Sequence, residues 1–329
     1  MSRSNERRFI TRVAQRYHLE GQRQAEIARE LRISQATVSR LLKRAQDEGI
    51  VRISISAPEG MHPETERALR ERYGLEEAIV VETSGTNIEE VMARIGEGAA
   101  YFLEATLQNG EIIGVSSWSQ TILKMLDNIH PMKSGRAKAV VQMLGGVGNP
   151  SVQKHATQLT TRLAQLTGAE PIILNAPGVA ASREAKIVLL GDPYARSVMD
   201  RYDEVSLAIV GIGAMEPSQM LADSGNIFSA EELRELTDRG AVAEIGLRFM
   251  DAGGGVVRTP LDDRVIGMSL EQLQRVPRVI AMAGGDHKTE AIRAVLLSGI
   301  LNVLVTDPFT AERLLSEESV QRSDEQKAI

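Results

Sequence analysis

The chain has 329 residues, 43% of them hydrophobic, with 38 Lys+Arg against 44 Asp+Glu for a formal net charge of −6. That length exceeds one typical domain, so two are expected, with at least one large core. Cysteine is absent, which excludes disulfides and thiolate metal sites; the five histidines (His18, His62, His130, His155, His287) show no paired ligand spacing, so neither a metal nor a cofactor is expected.

Glu6 to Tyr17 predicts an opening helix with Phe9, Ile10, Val13 and Tyr17 as its inward stripe. Gln24 to Lys43, Gln-Ala-Glu-Ile-Ala-Arg-Glu-Leu-Arg-Ile-Ser-Gln-Ala-Thr-Val-Ser-Arg-Leu-Leu-Lys, then reads as two short helices around a tight turn, the pattern of a DNA-reading helix-turn-helix. Small Ala28 lets the helices approach, and Ile27, Leu31, Ile33, Val38 and Leu41 form the apolar joint. Ser34 is placed to cap the second helix through its hydroxyl. Glycine would be easiest at Arg32 if the turn needed a positive φ, so a helical turn is expected there. Val38, Leu41, Leu42 and Ala45 recur at i, i+3, i+4 and i+7, which turns Gln35, Ala36, Ser39, Arg40, Lys43 and Arg44 outward. Ser34 and Thr37 complete the expected DNA-facing set. Gln35 and Arg40 suit adenine and guanine edges, and Lys43 and Arg44 suit phosphates.

A generic helix pair with a solvated basic face would show the same periodicity, and charge separates the two readings. Residues 1–52 hold 12 Lys+Arg against 6 Asp+Glu, a net of +6, whereas the remainder holds 26 against 38, a net of −12. A basic headpiece on an acidic body suits a polyanion at one end only.

After Gly49, the alternation of Val51, Ile53 and Ile55 predicts the edge strand of a wing. Ala57 to Pro63 carries the breakers of a connector. Beyond it, strands are expected near Ala78–Val81, Ile112–Val115, Val140–Met143, Pro171–Leu174, Leu207–Val210, Val279–Ala283 and Val303–Thr306. Helices fall between them, among them Ile88–Leu107, Gln153–Leu166, Glu231–Leu236 and Thr289–Ser298. Continuously apolar strands alternating with helices predict an α/β body with a mostly parallel sheet. The division is therefore 1–56 as a winged, all-α helix-turn-helix domain, 57–63 as linker, 64–318 as a larger α/β effector and oligomerisation domain, and 319–329 as a flexible tail. No apolar run approaches the roughly 20 residues of a membrane span. The start lacks the apolar core of a secretion signal, so no membrane contact and a cytoplasmic location are expected.

Ligands of open α/β sheets bind at the carboxyl ends of strands. The segments there are Ser116-Ser117-Trp118-Ser119-Gln120-Thr121, Gly145-Gly146-Val147-Gly148-Asn149, Gly211-Ile212-Gly213 and Gly284-Gly285-Asp286-His287-Lys288. Glycines admit a ligand to backbone N–H groups, and a helix start adds its positive end, which suits phosphate or sugar hydroxyls. Lys288 is the fixed charge for an anionic group. Trp118 is the only tryptophan, placed either to stack on a sugar or to pack in the core. Glu244, Asp251, Asp262 and Asp263 could accept from hydroxyls or serve as caps. Neither Gly-x-Gly-x-x-Gly nor Gly-x-x-x-x-Gly-Lys-Ser/Thr is present, which argues against NAD and ATP.

In this order of features the chain resembles the SorC/DeoR-type bacterial transcription regulators over nearly its whole length. The resemblance rests on the helix-turn-helix run, on Gly114-Val115-Ser116-Ser117-Trp118-Ser119-Gln120-Thr121, on Gly211-Ile212-Gly213, on Ala283 to Ile292, and on Leu304-Val305-Thr306-Asp307 with Ala311 to Leu315. It implies a body similar to the sugar-phosphate isomerase and deaminase fold, turned into a sensor of a sugar, polyol or sugar phosphate. Ser116 to Thr121, Gly284, Gly285 and Lys288 are the matching effector positions; Gly145, Gly146, Gly211, Gly213 and Glu244 complete the expected site. Ser117 interrupts the family's usual Ser-Trp-Gly run, and Glu244 stands where an aspartate is usual. The expectation is a non-enzymatic regulator of a carbohydrate-catabolic operon that binds double-stranded operator DNA as a homodimer or homotetramer. A sugar-phosphate isomerase or deaminase with a DNA-binding headpiece is the alternative.

Overall fold

The computed structural model describes residues 3–52, 58–132, 136–146, 148–216, 222–223 and 228–316. The chain divides into two compact units, Met1–Pro58 and Glu59–Ile329.

The first unit is a three-helix headpiece of α1 (Arg3–His18), α2 (Gln24–Leu31) and α3 (Gln35–Asp47). Ile10, Val13, Ala14, Ile27, Ala28, Val38, Leu42 and Ala45 form its core, with Leu31, Ile33 and Leu41 packed against it. The stripe of α1 is thus Ile10, Val13 and Ala14; Phe9 and Tyr17, expected inside, are 36% and 38% exposed, Phe9 lying beside that arc and Tyr17 one turn beyond it at the helix end. Ser34 caps α3 as expected, its Oγ accepting the Thr37 N–H at 3.1 Å. The turn differs from expectation: Arg32 is left-handed, at φ 53 and ψ 44. Its N–H donates to the Ala28 and Arg29 carbonyls, and the Ile33 N–H to the Ala28 carbonyl at 3.0 Å, which satisfies the end of α2 and returns Ile33 to the core. Those gains offset a left-handed strain of about 1–2 kcal/mol for a non-glycine residue. Of the expected wing strand, Val51 packs against the core, while Ile53 and Ile55 lie outside the described residues, as does the tail 319–329.

The second unit is a three-layer α/β domain. Its elements are α4 (Pro63–Tyr73), β1 (Glu77–Val80), α5 (Ile88–Thr106), β2 (Ile112–Val115), α6 (Gln120–Asn128), β3 (Ala139–Gln142), α7 (Pro150–Thr167), β4 (Glu170–Ile172), α8 (Arg183–Leu190), α9 (Pro193–Asp200), β5 (Leu207–Gly211), β6 (Gly213–Ala214), α10 (Ala230–Asp238), β7 (Ala241–Ile245), β8 (Arg248–Asp251), β9 (Val256–Val257), α11 (Leu270–Gln274), β10 (Arg278–Met282), α12 (Thr289–Leu297), β11 (Val303–Thr306) and α13 (Pro308–Leu315). The seven expected strands make one sheet, in the order β1-β11-β10-β5-β2-β3-β4, and every pairing in it is parallel.

Alternate residues of each strand feed opposite faces. Leu207, Ile209, Val303 and Val305 join one cluster with Val91 and Ile95 of α5, Ile122 of α6 and Leu159 of α7; Ala208, Val210 and Leu304 join the other with Leu69 of α4, Val198 of α9, Ile292 of α12 and Leu314 of α13. Gly96 in α5 lets α6 approach closely, since a Cβ there would lie 2.7 Å from the Lys124 backbone. A second sheet, β6-β7-β8-β9, is antiparallel. With α10 it builds a third cluster, including Trp118, Leu144, Phe228, Leu236, Leu247 and Phe249.

Candidate functional site

On the headpiece, Gln35, Ala36, Ser39, Arg40 and Lys43 are exposed on one side of α3, opposite buried Val38, Leu42 and Ala45. Ser34 and Thr37 stand at the helix start with their hydroxyl oxygens 2.8 Å apart, and Arg40 Nη2 donates to Thr37 Oγ1 at 3.4 Å. Arg44 is arranged otherwise. It donates to Glu6 on α1 at 2.6 Å and to Glu48 at 2.8 Å, so it ties α3 to α1 instead of standing free for a phosphate. Glu6 is 38 residues from Arg44 in sequence, which is why periodicity within α3 alone does not reveal the pair.

In the second unit a cavity of about 700 Å³ lies beyond the carboxyl ends of β2, β5 and β10, walled on one side by the small antiparallel sheet. Of the expected effector residues, Ser116, Trp118, Ser119, Gln120, Thr121, Gly211, Gly213, Glu244, Gly284 and Lys288 line it. Ser119 caps α6, its Oγ accepting the Ile122 N–H, so the positive end of that helix belongs to the cavity wall. Gly211 and Gly213 are needed for closeness: a Cβ on Gly211 would sit 2.9 Å from Ser119 Oγ, and one on Gly213 2.4 Å from Glu244 Oε2.

Lys288 Nζ donates to the Ile212 carbonyl at 3.0 Å, which anchors the ammonium between the two glycines. Burial lowers its pKa, and the charge of Glu244 opposes that shift. For Glu244 burial is again the leading cause and raises the pKa, against the Leu247 N–H bonded to Oε1 and the charge of Lys288. The cavity therefore holds one fixed donor and one acceptor, both short of full solvation and each stabilising the other's charge. His287 also lines it, its pKa lowered by burial and then by Lys288.

Glu244 is positioned by a strained hairpin. Between β7 and β8, Gly246 and Leu247 have φ of 59 and 60, the two positive values of a mirror-image tight turn. Leu247 accepts that conformation because its side chain is 3% exposed in the third cluster and its N–H is satisfied by Glu244. Trp118 resolves toward packing: it is 7% exposed within the same cluster, while its edge reaches the cavity wall. Its indole N–H has no hydrogen-bond partner among the described residues.

The other four expected residues lie off the cavity lining. Ser117 is fully buried, donating to the Leu144 carbonyl at 2.6 Å and accepting from Gln142 Nε2 at 3.2 Å. Gly145 and Gly146 serve close packing, since Cβ atoms there would sit 2.3 Å from the Pro177 carbonyl oxygen and 2.4 Å from Gln142 Nε2. Gly285, at φ 93, donates its N–H to Asp307 Oδ2 and Thr310 Oγ1, both at 2.9 Å, which clamps its loop to the start of α13. Sequence reading missed the apolar wall of Phe228, Leu247 and Phe249; the alternation of Ala241, Ala243 and Ile245 was the available signal. Among the described residues no group of three or more His, Asp and Glu side chains is arranged to hold a metal ion, and no helix is long and apolar enough to cross a membrane.

The Sugar-bind family model, a sugar-binding domain, matches residues 61–316, and the MarR family model matches residues 14–60. The sorbitol operon regulator of Klebsiella pneumoniae is 30% identical over 319 residues, covering 96% of this chain and all of that one. The chain belongs to the SorC family of transcriptional regulators. Among solved SorC-family structures, the full-length sorbitol operon regulator of K. pneumoniae aligns with a TM-score of 0.72 at 29% identity, covering 94% of this chain and 98% of that chain. The sugar-binding domain of the regulator DeoR from Pseudomonas syringae pathovar tomato aligns with a TM-score of 0.62 at 38% identity, covering 78% of this chain and all of that one. The helix-turn-helix and the parallel α/β body thus occur together in proteins that regulate transcription.

Proposed function

We propose that this chain regulates a carbohydrate-catabolic operon from the cytoplasm, with operator affinity set by a sugar, polyol or sugar phosphate in the cavity of the second unit. The observation that carries this reading is the pairing of Lys288 with Glu244 across a cavity of about 700 Å³ also walled by the start of α6. A hydroxyl-rich ligand offers acceptors to Lys288 and donors to Glu244. The names of the relatives, a sorbitol operon regulator and a deoxyribonucleoside regulator, support the same ligand class. Gln35, Ser39 and Arg40 read bases and Lys43 meets phosphate, with Ser34, Ala36 and Thr37 at the entry and Arg44 bracing α3. Two or four copies act together, because one headpiece buries too little surface for tight specific binding.

The body binds and does not turn over its ligand. Glu244 and His287 offer acid and base groups, but Glu244 is held by a backbone N–H and Lys288 by a carbonyl, a binding arrangement without a poised nucleophile. A thermal-shift screen of the purified protein against pentoses, hexoses, polyols and their phosphates tests the reading. At least one should raise the melting temperature and change operator retention in a gel shift, without product formation. Lys288→Ala should abolish that ligand's effect on operator retention while sparing operator binding in its absence. Stabilisation by none of them, or turnover of the stabilising ligand, refutes the proposal.

A further inference from the structure

Lys288 belongs to a loop that cannot move alone. Asp307 and Thr310, at the start of α13, are 1% and 0% exposed. Asp307 Oδ2 accepts the Gly285 N–H at 2.9 Å and the Thr310 hydroxyl at 2.6 Å, and its Oδ1 accepts the Thr310 N–H at 2.9 Å. Asp286, the next residue of the loop, pairs with Arg313 in the last turn of α13. The loop is therefore bonded to α13 at its first turn and again at its last. A buried carboxyl oxygen stripped of the Gly285 N–H would have no water to replace it, so a displaced loop carries α13 with it.

The far end of α13 is held by another part of the chain. The last carbonyls of a helix have no partner within it. Here Tyr73 Oη donates to the Leu314 carbonyl at 2.8 Å, and Arg72 Nη1 donates to the Leu315 carbonyl at 2.7 Å. Both donors stand at the end of α4, 241 and 243 positions away in sequence. The Arg72 guanidinium lies 5.7 Å from the centre of the Tyr73 ring, and that ring packs against the core, so the two hold the helix end as a unit. α4 starts at Pro63, directly after the connector through which the chain leaves the headpiece.

We infer that α13 is a strut that couples the loop carrying Lys288 to the end of α4, with Asp307, Arg72 and Tyr73 as its positioning residues. A ligand that binds one placement of the loop better than another then shifts α13 and α4 together, and so passes its presence toward the connector. This rests on the regulatory reading above and supplies the element by which the cavity is heard elsewhere. Hydrogen exchange of the full-length protein, followed by mass spectrometry, tests it in both directions. Asp286→Asn keeps the side chain's size and removes its charge; it should speed exchange of the amides of 59–75 by about threefold or more. Arg72→Gln combined with Tyr73→Phe should speed exchange of the amides of 284–290 by about the same factor, because coupling is reciprocal. Arg67→Gln removes a charge from the same helix, but its ion pair is with Glu71 of α4 itself, so exchange at 284–290 should rise less than that. The amides of 157–167 in α7 report general loosening and should also stay below threefold in every variant. A smaller acceleration at either remote segment, an equal effect of Arg67→Gln, or an equal acceleration at 157–167 overturns the inference. Neither effector nor operator enters the measurement, so its failure is distinguishable from failure of the regulatory reading.

Discussion

Ile27 is the residue on which the headpiece is most exposed to test. It has no solvent exposure and sits among Ile10, Val13, Val38 and Leu42, where the three helices converge. Truncating a buried isoleucine to alanine costs about 2–5 kcal/mol, through lost transfer energy and the cavity left behind. A unit of some fifty residues has only about 3–8 kcal/mol of stability to lose, at about 0.05–0.15 kcal/mol per residue. Ile27→Ala should therefore leave the headpiece largely unfolded near physiological temperature while the second unit stays intact. Ile27→Val, at about 0.5–1.5 kcal/mol, should keep it folded with a melting temperature lower by several degrees. Differential scanning calorimetry with operator gel shifts reads both consequences. In Ile27→Ala the lower-temperature transition and operator retention should disappear together, and ligand-induced stabilisation of the second unit should persist. An Ile27→Ala protein with full operator affinity, or one whose second unit melts in step with the first, would refute the reasoning about where this headpiece keeps its stability.

On the recognition surface, Arg40→Ala should remove discrimination at one operator base pair at a cost of about 1–3 kcal/mol, read by competition gel shift against single-base variants. Lys43→Ala should weaken all sequences alike and reduce the slope of log affinity against log salt by roughly one. In the cavity, Glu244 has a folded pKa raised by burial above the ordinary 4.5, so it contributes stability while protonated and that stability is lost as pH rises through the folded value. Glu244→Gln cannot ionise and keeps an acceptor for the Leu247 N–H. Its melting temperature relative to wild type should therefore climb from pH 4.5 toward pH 8, and a flat or falling difference would show that burial does not govern this carboxyl.

Much of the architecture is visible in sequence because it rests on local pattern. Six of the seven strands of the parallel sheet are mainly apolar runs, and a fully buried strand such as Val303–Thr306 has no polar face to disguise it, whereas β4 at the sheet edge is Glu-Pro-Ile, exposed to half-buried. The small antiparallel sheet escapes for a physical reason. Two of its strands have two residues each, and its central hairpin turns on Gly246-Leu247, where a leucine adopts a positive φ that its neighbours enforce and its own type disfavours. Arg32 is the same case in the headpiece, with its left-handed conformation sustained by Ile33 returning to the core. Among the glycine-rich loops, sequence cannot separate glycines that make room for a ligand from those that make room for the protein. Gly213 faces Glu244 in the cavity and Gly146 faces buried Gln142, a difference set by residues more than thirty positions away in one case and four in the other. Arg44 and Glu6 illustrate the same limit for charge.

The lone indole of the chain stands in the wall of the cavity, its ring in the apolar cluster and its N–H unspent. Ultraviolet emission excited near the red edge of absorption therefore comes from one place only. Any molecule that enters beside that wall alters the dipolar surroundings of the excited ring. The protein thus carries its own optical gauge of occupancy, and titrations can follow filling of the chamber without a dye, a tag or DNA in the cuvette.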